Sequence, residues 1–458
     1  MMRRGGSKKA ALTPELQRKR MLTVPIPKLI IGMIIPTVLS QLITVIYNTA
    51  DTFFVARIGT SAAAAVGVVF SLQSIMQAYG FGVGTGCGSL VARCLGAAQN
   101  EKAESYANSA LLAGLVGSLV IMIPSLIFLP QLMRLLGSTD TMLDYCVSYA
   151  RIILMGCPFL CTSSVMSCIL RNKGEPIYAV VGLVIGGFFN VILDPVLIFW
   201  AHWGIAGAAA ATIVSQTLSW LILLRAFITG KSIVKINPRS ISRRWRDYFE
   251  IYTTGIPTTC RQGMASLGSA VLNIYASYYG DSAVAAVTIS NKIYLFVRNV
   301  IIGVGQGFQP VAGFNFGAGD KERTRQAFIF STQLGTVICM VAAVFIGFNT
   351  ELVMSWFRGD DPAVIAIGKS ALLFACAVMP LMAYSTFVNQ LYQCLGFKFA
   401  ATMLACCRNG FFLIPVVLVL PRLIGVGGVE MAQPLADFLT FVISVPFQIS
   451  FFRKHLRT

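Results

Sequence analysis

Long apolar runs separated by short polar connections account for most of the chain, at about 29–57, 61–92, 104–129, 140–170, 177–200, 203–229, 249–279, 282–312, 326–348, 364–395, 399–420 and 427–452. An α-helix rises about 1.5 Å per residue, so each run is long enough to cross a hydrocarbon core of about 30 Å. The pattern predicts an all-α integral membrane protein of about twelve transmembrane helices.

Within such runs the rare polar positions are the informative ones. Leu29 to Ala56 is an apolar stretch of 28 residues whose only formally charged side chain is Asp51. A charge at bilayer depth costs at least about 2.5 kcal/mol, so it faces protein or water and marks an ion or substrate path. Tyr47 and Asp51 are four apart and share a helix face. Pro36 removes a backbone hydrogen bond nearer the start of the run, which predicts a bend and assigns it as a hinge. The competing reading is a carboxylate satisfied by a neighbouring helix.

The two halves of the chain repeat. Ile35-Pro36-Thr37 matches Ile256-Pro257-Thr258, Gly59 matches Gly280, Gly82-Val83-Gly84 matches Gly303-Val304-Gly305, and Gly96-Ala97 matches Gly317-Ala318, all at an offset of 221. Six runs per half is an even number, so both halves enter from one side and are related by an axis along the membrane normal. The predicted organisation is a basic cytoplasmic tail (1–28), an N-terminal six-helix lobe (29–230), a basic linker (231–248), a C-terminal six-helix lobe (249–452) and a cytoplasmic tail (453–458), the two pseudo-symmetric lobes flanking a central cleft.

The repeat also shows where the halves differ. Asp51 corresponds to Leu272, and the fifth-run stretch GFFNVILDP, with Asn190 and Asp194 on one face, has the counterpart GFFLIP. Ionisable chemistry is expected in the N-terminal half alone. Runs one and five travel in the same direction and carry Asp51 and Asp194 beyond their midpoints, while run six returns and reaches Thr212 about nine residues after Trp203. Two carboxylates, an amide oxygen and a hydroxyl are an all-oxygen set for a hard cation such as Na+. Alternatively, two carboxylates that cannot both stay ionised would share a proton. A hydrogen-bond network that only joins helices is the third reading.

Composition agrees with the pattern: 56% of residues are hydrophobic, 12% are charged, and the mean hydropathy is +0.74. The net charge of +18 would suggest nucleic acid in a soluble chain. Here 26 Lys and Arg fall in segments on one side, four on the other and six within or at the ends of runs. That is topology, with N- and C-termini cytoplasmic, rather than a nucleic-acid surface. Residues 1–28 hold eight Lys or Arg and one acid, Glu15, without a cleavage pattern, so they read as a tail rather than a signal peptide. The 12 Cys are scattered, and with only His202 and His455 there is no zinc-type ligand set.

Taken together, IPTVLSQLITVIYNTADTFFVARIG in run one, GVGTGCGSLVARCLGA in run two, NVILDP in run five and GVGQGFQPVAGFNFGAG in the second half resemble the multidrug and toxic compound extrusion (MATE) family. The resemblance covers roughly residues 25 to 450 and is closest to the DinF-like branch. It implies two six-helix lobes around a cleft in a bacterial inner membrane, and export of organic cations driven by inward H+ or Na+. It also implies a cation site in the N-terminal lobe, and Tyr47, Asp51, Asn190, Asp194 and Thr212 fall on that site's pattern. Other branches carry acids in runs seven and ten; this chain has none there beyond Glu250 at the very start of run seven, which puts a second-lobe ion site in doubt.

Weaker signals remain. GFGVGTGCGSL lacks the Lys of a phosphate loop and reads as close helix packing. Arg261, Lys292, Arg298 and Arg408 are either helix-end snorkellers or contacts for an anionic group. Tyr275, Tyr278, Tyr294 and Phe308 are mostly packing by type, although aromatic faces suit cationic drugs; Tyr275, Tyr294, Arg298 and Phe308 are the tentative substrate cleft. Three functions compete: a cation-coupled exporter of amphiphilic cations, a lipid-linked saccharide flippase of related architecture, and a membrane enzyme. The exporter is preferred, as a monomer with no cofactor beyond its coupling ion. The enzyme is disfavoured because clustered His or interfacial acid motifs are missing.

Overall fold

A computed structural model of the chain describes residues 14–229, 236–358 and 362–456, and these are helical almost throughout with no strand among them. Residues 1–13 of the predicted tail, 230 at the end of the predicted first lobe, 231–235 of the predicted linker, 359–361 of the predicted second lobe and 457–458 of the second tail lie outside the described residues. The first half comprises α1 (Pro14–Thr23), α2 (Ile26–Ala56), α3 (Thr60–Gly96), α4 (Asn100–Ile127), α5 (Leu129–Leu135), α6 (Leu143–Met155), α7 (Cys157–Asn172), α8 (Pro176–Pro195) and α9 (Gly204–Ile228). The second comprises α10 (Trp245–Ser277), α11 (Asp281–Gly317), α12 (Lys321–Phe348), α13 (Thr350–Arg358), α14 (Pro362–Leu395), α15 (Lys398–Cys406), α16 (Leu413–Ile424) and α17 (Val426–His455).

Among the described residues ten spans are long and apolar enough to cross a membrane, and α6 with α7 makes an eleventh. The twelfth is α10, whose 33 residues are too polar to qualify by composition. It packs against α3 across the two halves. The run predicted at 140–170 is not straight: its two helices meet at 48°. Gly156 lies at the break and Pro158 follows in the first turn of α7, where its missing N–H cannot continue the preceding ladder. Two stretches are π-helical, Val196–Trp200 directly after Pro195 and Cys407–Phe412 between α15 and α16. Such widened turns recur at functional sites.

Exposed side chains follow the bilayer. Val116, Val120, Ile123 and Ile127 on α4, and Val341, Val344, Phe345 and Phe348 on α12, form outward apolar faces that water would not tolerate but lipid does.

The halves press together at one end only. Every residue of α3 from Gly82 to Ala92 is buried, whereas none of α2 from Gln41 to Phe54 is. Two glycines permit the approach: a Cβ on Gly255 of α10 would run into the Gly82 carbonyl, and one on Gly317 of α11 into the Arg93 carbonyl. Polar ties span the same end. Thr37 Oγ1 donates to the Gly303 carbonyl at 2.8 Å, Arg171 Nη1 to Gln306 Oε1 at 2.6 Å, and Arg93 Nη1 to the Leu395 carbonyl at 3.1 Å. α1 crosses beneath them: Gln17 Nε2 donates to the Lys173 carbonyl at 2.9 Å, while Arg323 Nη2 of α12 donates to the Val24 carbonyl at 2.7 Å. At the other end α10 buries only Gly268, Leu272 and Ala276 beyond Thr258. A cleft therefore opens away from the end that carries the basic connections.

Candidate functional site

Asp194 lies near the end of α8, fully buried, with Asn190 one turn earlier donating its Nδ2 to Asp194 Oδ1 at 3.3 Å. Pro195 follows and the π-helical stretch begins after it, so Asp194 sits where the regular ladder is interrupted. On α2, Asp51 is near enough for its charge to act on Asp194. The helices meet closely because Gly187 leaves room for a ring: a Cβ there would stand 3.1 Å from Tyr47 Cδ1. Tyr47 in turn lies within electrostatic range of Asp51 and beside Thr44.

One oxygen of each acid, Asp51 Oδ1 and Asp194 Oδ2, is buried with no hydrogen-bond partner among the described residues. Buried polar atoms are normally paired, and an unpaired carboxylate oxygen is among the costliest exceptions. A proton or a hard cation is the chemistry that satisfies both. The bland reading, a closed network of helix-joining hydrogen bonds, leaves these two atoms unexplained.

The structure thus brings together Asp51, Asp194, Asn190 and Tyr47. Thr212 arrives differently: its Oγ1 donates to the Ala208 carbonyl at 3.0 Å, and it lies within reach of Tyr149 of α6. Tyr149, buried and within electrostatic range of both Asp51 and Asp194, was missed by sequence reasoning. Its only signal was a polar-tipped ring in a run that also holds Asp144 and Arg151.

The predicted hinge residue Pro36 is internal to α2, which runs unbroken from Ile26 to Ala56. It stands beside Thr37, whose tie to Gly303 belongs to the closed end.

Two expectations about the second half are corrected. Phe308 lines no cleft: it is fully buried and packs edge-on against Phe328 and Phe387 in the main core. Nor is ionisable chemistry confined to the first half. Asp437 of α17 is buried and accepts from Arg408 Nε at 2.5 Å, from Arg408 Nη2 at 3.3 Å and from Tyr294 OH. Tyr294 is therefore part of an ion-pair network rather than a free aromatic face. Arg298 and Arg261 stand within electrostatic range of Arg408. Tyr275 meets Tyr278 edge-on at 5.7 Å on α10.

The MatE family profile matches residues 36–196 and again 257–419, two copies in the register of the internal repeat. The multidrug export protein MepA of Staphylococcus aureus strain N315 is 25% identical over 418 residues, covering 91% of this chain and 92% of that one. MepA of Staphylococcus haemolyticus strain JCSC1435 is 26% identical over 407 residues, covering 88% and 89%. In fold, the chain is similar to a MATE protein solved in complex with MaL6, with a TM-score of 0.90 at 24% identity and coverage of 95% and 99%. It is equally similar to a multidrug resistance MATE transporter in an outward-facing conformation, with a TM-score of 0.90 at 24% identity and coverage of 95% and 98%.

Proposed function

The chain belongs to the MatE family of membrane transporters, and from that premise we propose that it exports amphiphilic organic cations from a bacterial cell in exchange for inward H+ or Na+. It is a transporter and not an enzyme. The observation that carries the exchange reading is the pair Asp51 and Asp194, each with one buried oxygen that has no hydrogen-bond partner among the described residues, and with the charge of Asp51 within range of Asp194.

Two neighbouring carboxylates in a low-dielectric site favour holding one positive charge between them. When the cleft opens outward, H+ or Na+ occupies Asp51 and Asp194, with Asn190, Thr212 and Tyr149 orienting them. Neutralising the pair removes the electrostatic hold on a cationic substrate, and the substrate leaves outward. Reclosing the outer end and opening the inner one releases the ion, and the bare carboxylates attract the next cation. The hinge is Pro36, where α2 lacks a backbone hydrogen bond next to the closed-end contact at Thr37, with the ion site about four turns further along the helix. The excess of basic residues at the closed end supports cytoplasmic termini, and hence an outward-facing state.

Asp437 does not add a second coupling site on this reading, because Arg408 already neutralises it. One site implies electroneutral one-for-one exchange for a monovalent cation, since moving each charge is worth about 2.3 kcal/mol per 100 mV in either direction. The arginines of the second half favour one rival, a lipid-linked saccharide flippase, which requires a cationic cleft. Expression in a drug-sensitive host separates them: the exporter reading expects lower accumulation of a cationic dye in energised cells, restored by Asp51→Asn. Unchanged accumulation in cells with confirmed membrane insertion would count against export.

A further inference from the structure

The ten residues of α1 are too few to cross a membrane and, as an isolated helix, too few to be stable in water. α1 is helical because it is docked, and it is docked on both halves. Toward the first half, Gln17 Nε2 donates to the Lys173 carbonyl at 2.9 Å in the turn between α7 and α8, and Arg18 Nε donates to the Gly96 carbonyl at 3.0 Å at the end of α3. Gly174 makes room for the first of these: its φ of +92° suits glycine, and a Cβ there would run into Gln17 Nε2. Toward the second half, α1 packs on α11, and Met21 is fully buried.

The end of α1 gives the reason for a second grip. Pro25 follows it and has no N–H to offer the Met21 carbonyl four residues earlier, so the helix ends with a carbonyl that its own ladder cannot satisfy. Arg323 of α12 reaches across: its Nη2 donates to the Val24 carbonyl at 2.7 Å and to the Met21 carbonyl at 3.4 Å. Asn315 near the end of α11 aims that side chain, accepting from Arg323 Nε at 2.9 Å, and its own Nδ2 reaches the Met21 carbonyl at 3.5 Å. A guanidinium on the last carbonyls of a helix is favoured by the helix dipole as well as by the hydrogen bonds. Pro25 has a non-helical backbone, φ −52° and ψ 132°, so α1 and α2 are separate rods joined at one point.

We propose that α1 is a detachable bolt across the closed end: gripped by Gln17 and Arg18 on the first half and by Arg323 and Asn315 on the second, it holds the halves together there and swings about Pro25 to let that end open. The ties of Thr37 to Gly303, Arg171 to Gln306 and Arg93 to Leu395 join spans face to face and part as the spans do. α1 is instead a separate piece laid over both halves, so its release is a step of its own. Freeing either grip suffices, because a bolt held by one half no longer resists separation. Undocked, α1 loses the partners that keep it helical, which makes its release cooperative. The bolt goes beyond the exchange reading and rests on it only for the premise that the closed end opens during transport.

The test measures distances by double electron–electron resonance on the purified full-length protein in lipid nanodiscs. Spin labels are placed at Asn100→Cys and Lys321→Cys, exposed equivalents in the two halves at the closed end, with the partly exposed Cys260 and Cys406 replaced by Ser. Arg323→Gln raises the ratio of long to short distances at least about tenfold, the worth of one hydrogen bond to a charged donor, and Arg323→Lys, which keeps a donor, stays near the unsubstituted ratio. Arg18→Gln, which loosens the other grip, shifts the ratio the same way, and the double variant goes no further than the larger single effect. Both arginines are partly exposed, so the variants fold, and an unchanged melting temperature certifies it. Unchanged distances in either single variant overturn the bolt, as do shifts that simply add in the double variant; a lower melting temperature with unchanged distances leaves α1 as plain packing. Because the distances are read without gradient or substrate, that failure leaves ion-driven export standing. Conversely, a protein whose distances shift as expected but which moves no dye under a gradient loses the export reading and keeps the bolt.

Discussion

The two halves are built on one repeat yet carry opposite electrostatics. The first half places Asp51 within electrostatic range of Asp194, each with an oxygen that no described residue satisfies. The second pairs Asp437 with Arg408, Tyr294 and Gln433, with Arg298 and Arg261 within electrostatic range of Arg408. Duplication supplied the scaffold, including the paired prolines Pro36 and Pro257 and the glycines at the closed end. The polar residues set into it then diverged. An unpaired buried acid is fit to load and release a cation, whereas a paired one is fit to hold helices or fix a neighbouring guanidinium. Charge within a membrane span therefore has two meanings, and pairing separates them.

The sharpest break of that comparison is Asp437→Asn. It strands Arg408 without its counter-charge, and losing one partner of a buried pair costs about 3–5 kcal/mol. Thermal unfolding in detergent should show a large fall in melting temperature, partly recovered by adding Arg408→Gln. Asp51→Asn should do the reverse: melting is unchanged or raised because an unsatisfied charge is gone, while gradient-driven export falls at least about a hundredfold, or roughly 2.7 kcal/mol. A melting temperature that drops as far as for Asp437→Asn would mean Asp51 is structural. Asp194→Asn comes next, with a loss of about tenfold in the same assay, and the double variant with Asp51→Asn should be no worse than Asp51→Asn alone. Additive losses would mean the two acids do not share a site. The smallest effect is expected from Pro36→Ala, a shift of a few-fold in cleft labelling between low and high pH, with melting little changed. Identical labelling profiles would remove Pro36 from the conformational step.

Much of this was legible in the chain. Asp51, Asn190 and Asp194 stand out because each interrupts a long apolar run, and such positions need a reason. The repeat was legible because glycine and proline pairs held one register. What escaped were features that depend on the packing of distant spans. Tyr149 looks ordinary until α6 is folded against α9 and its ring meets Thr212. Asp437 interrupts an apolar run as plainly as Asp51 does, but the comparison of runs seven and ten passed over it, and only its contact with Arg408 reveals its role. Phe308 shows the converse: an aromatic on a long helix carries no mark of whether it faces a cleft or, as here, Phe328 and Phe387. The bend at Gly156 was hidden because the run continues apolar on both sides.

The central claim is that Asp51 and Asp194 couple one inward cation to one outward substrate. Its most direct test is efflux of a monovalent cationic dye from proteoliposomes holding the purified protein, under an imposed H+ or Na+ gradient with the membrane potential clamped. The account predicts transport driven by one of those gradients, little changed by the clamped potential and absent with Asp51→Asn. A steep dependence on potential, or gradient-driven efflux that survives Asp51→Asn, would contradict it.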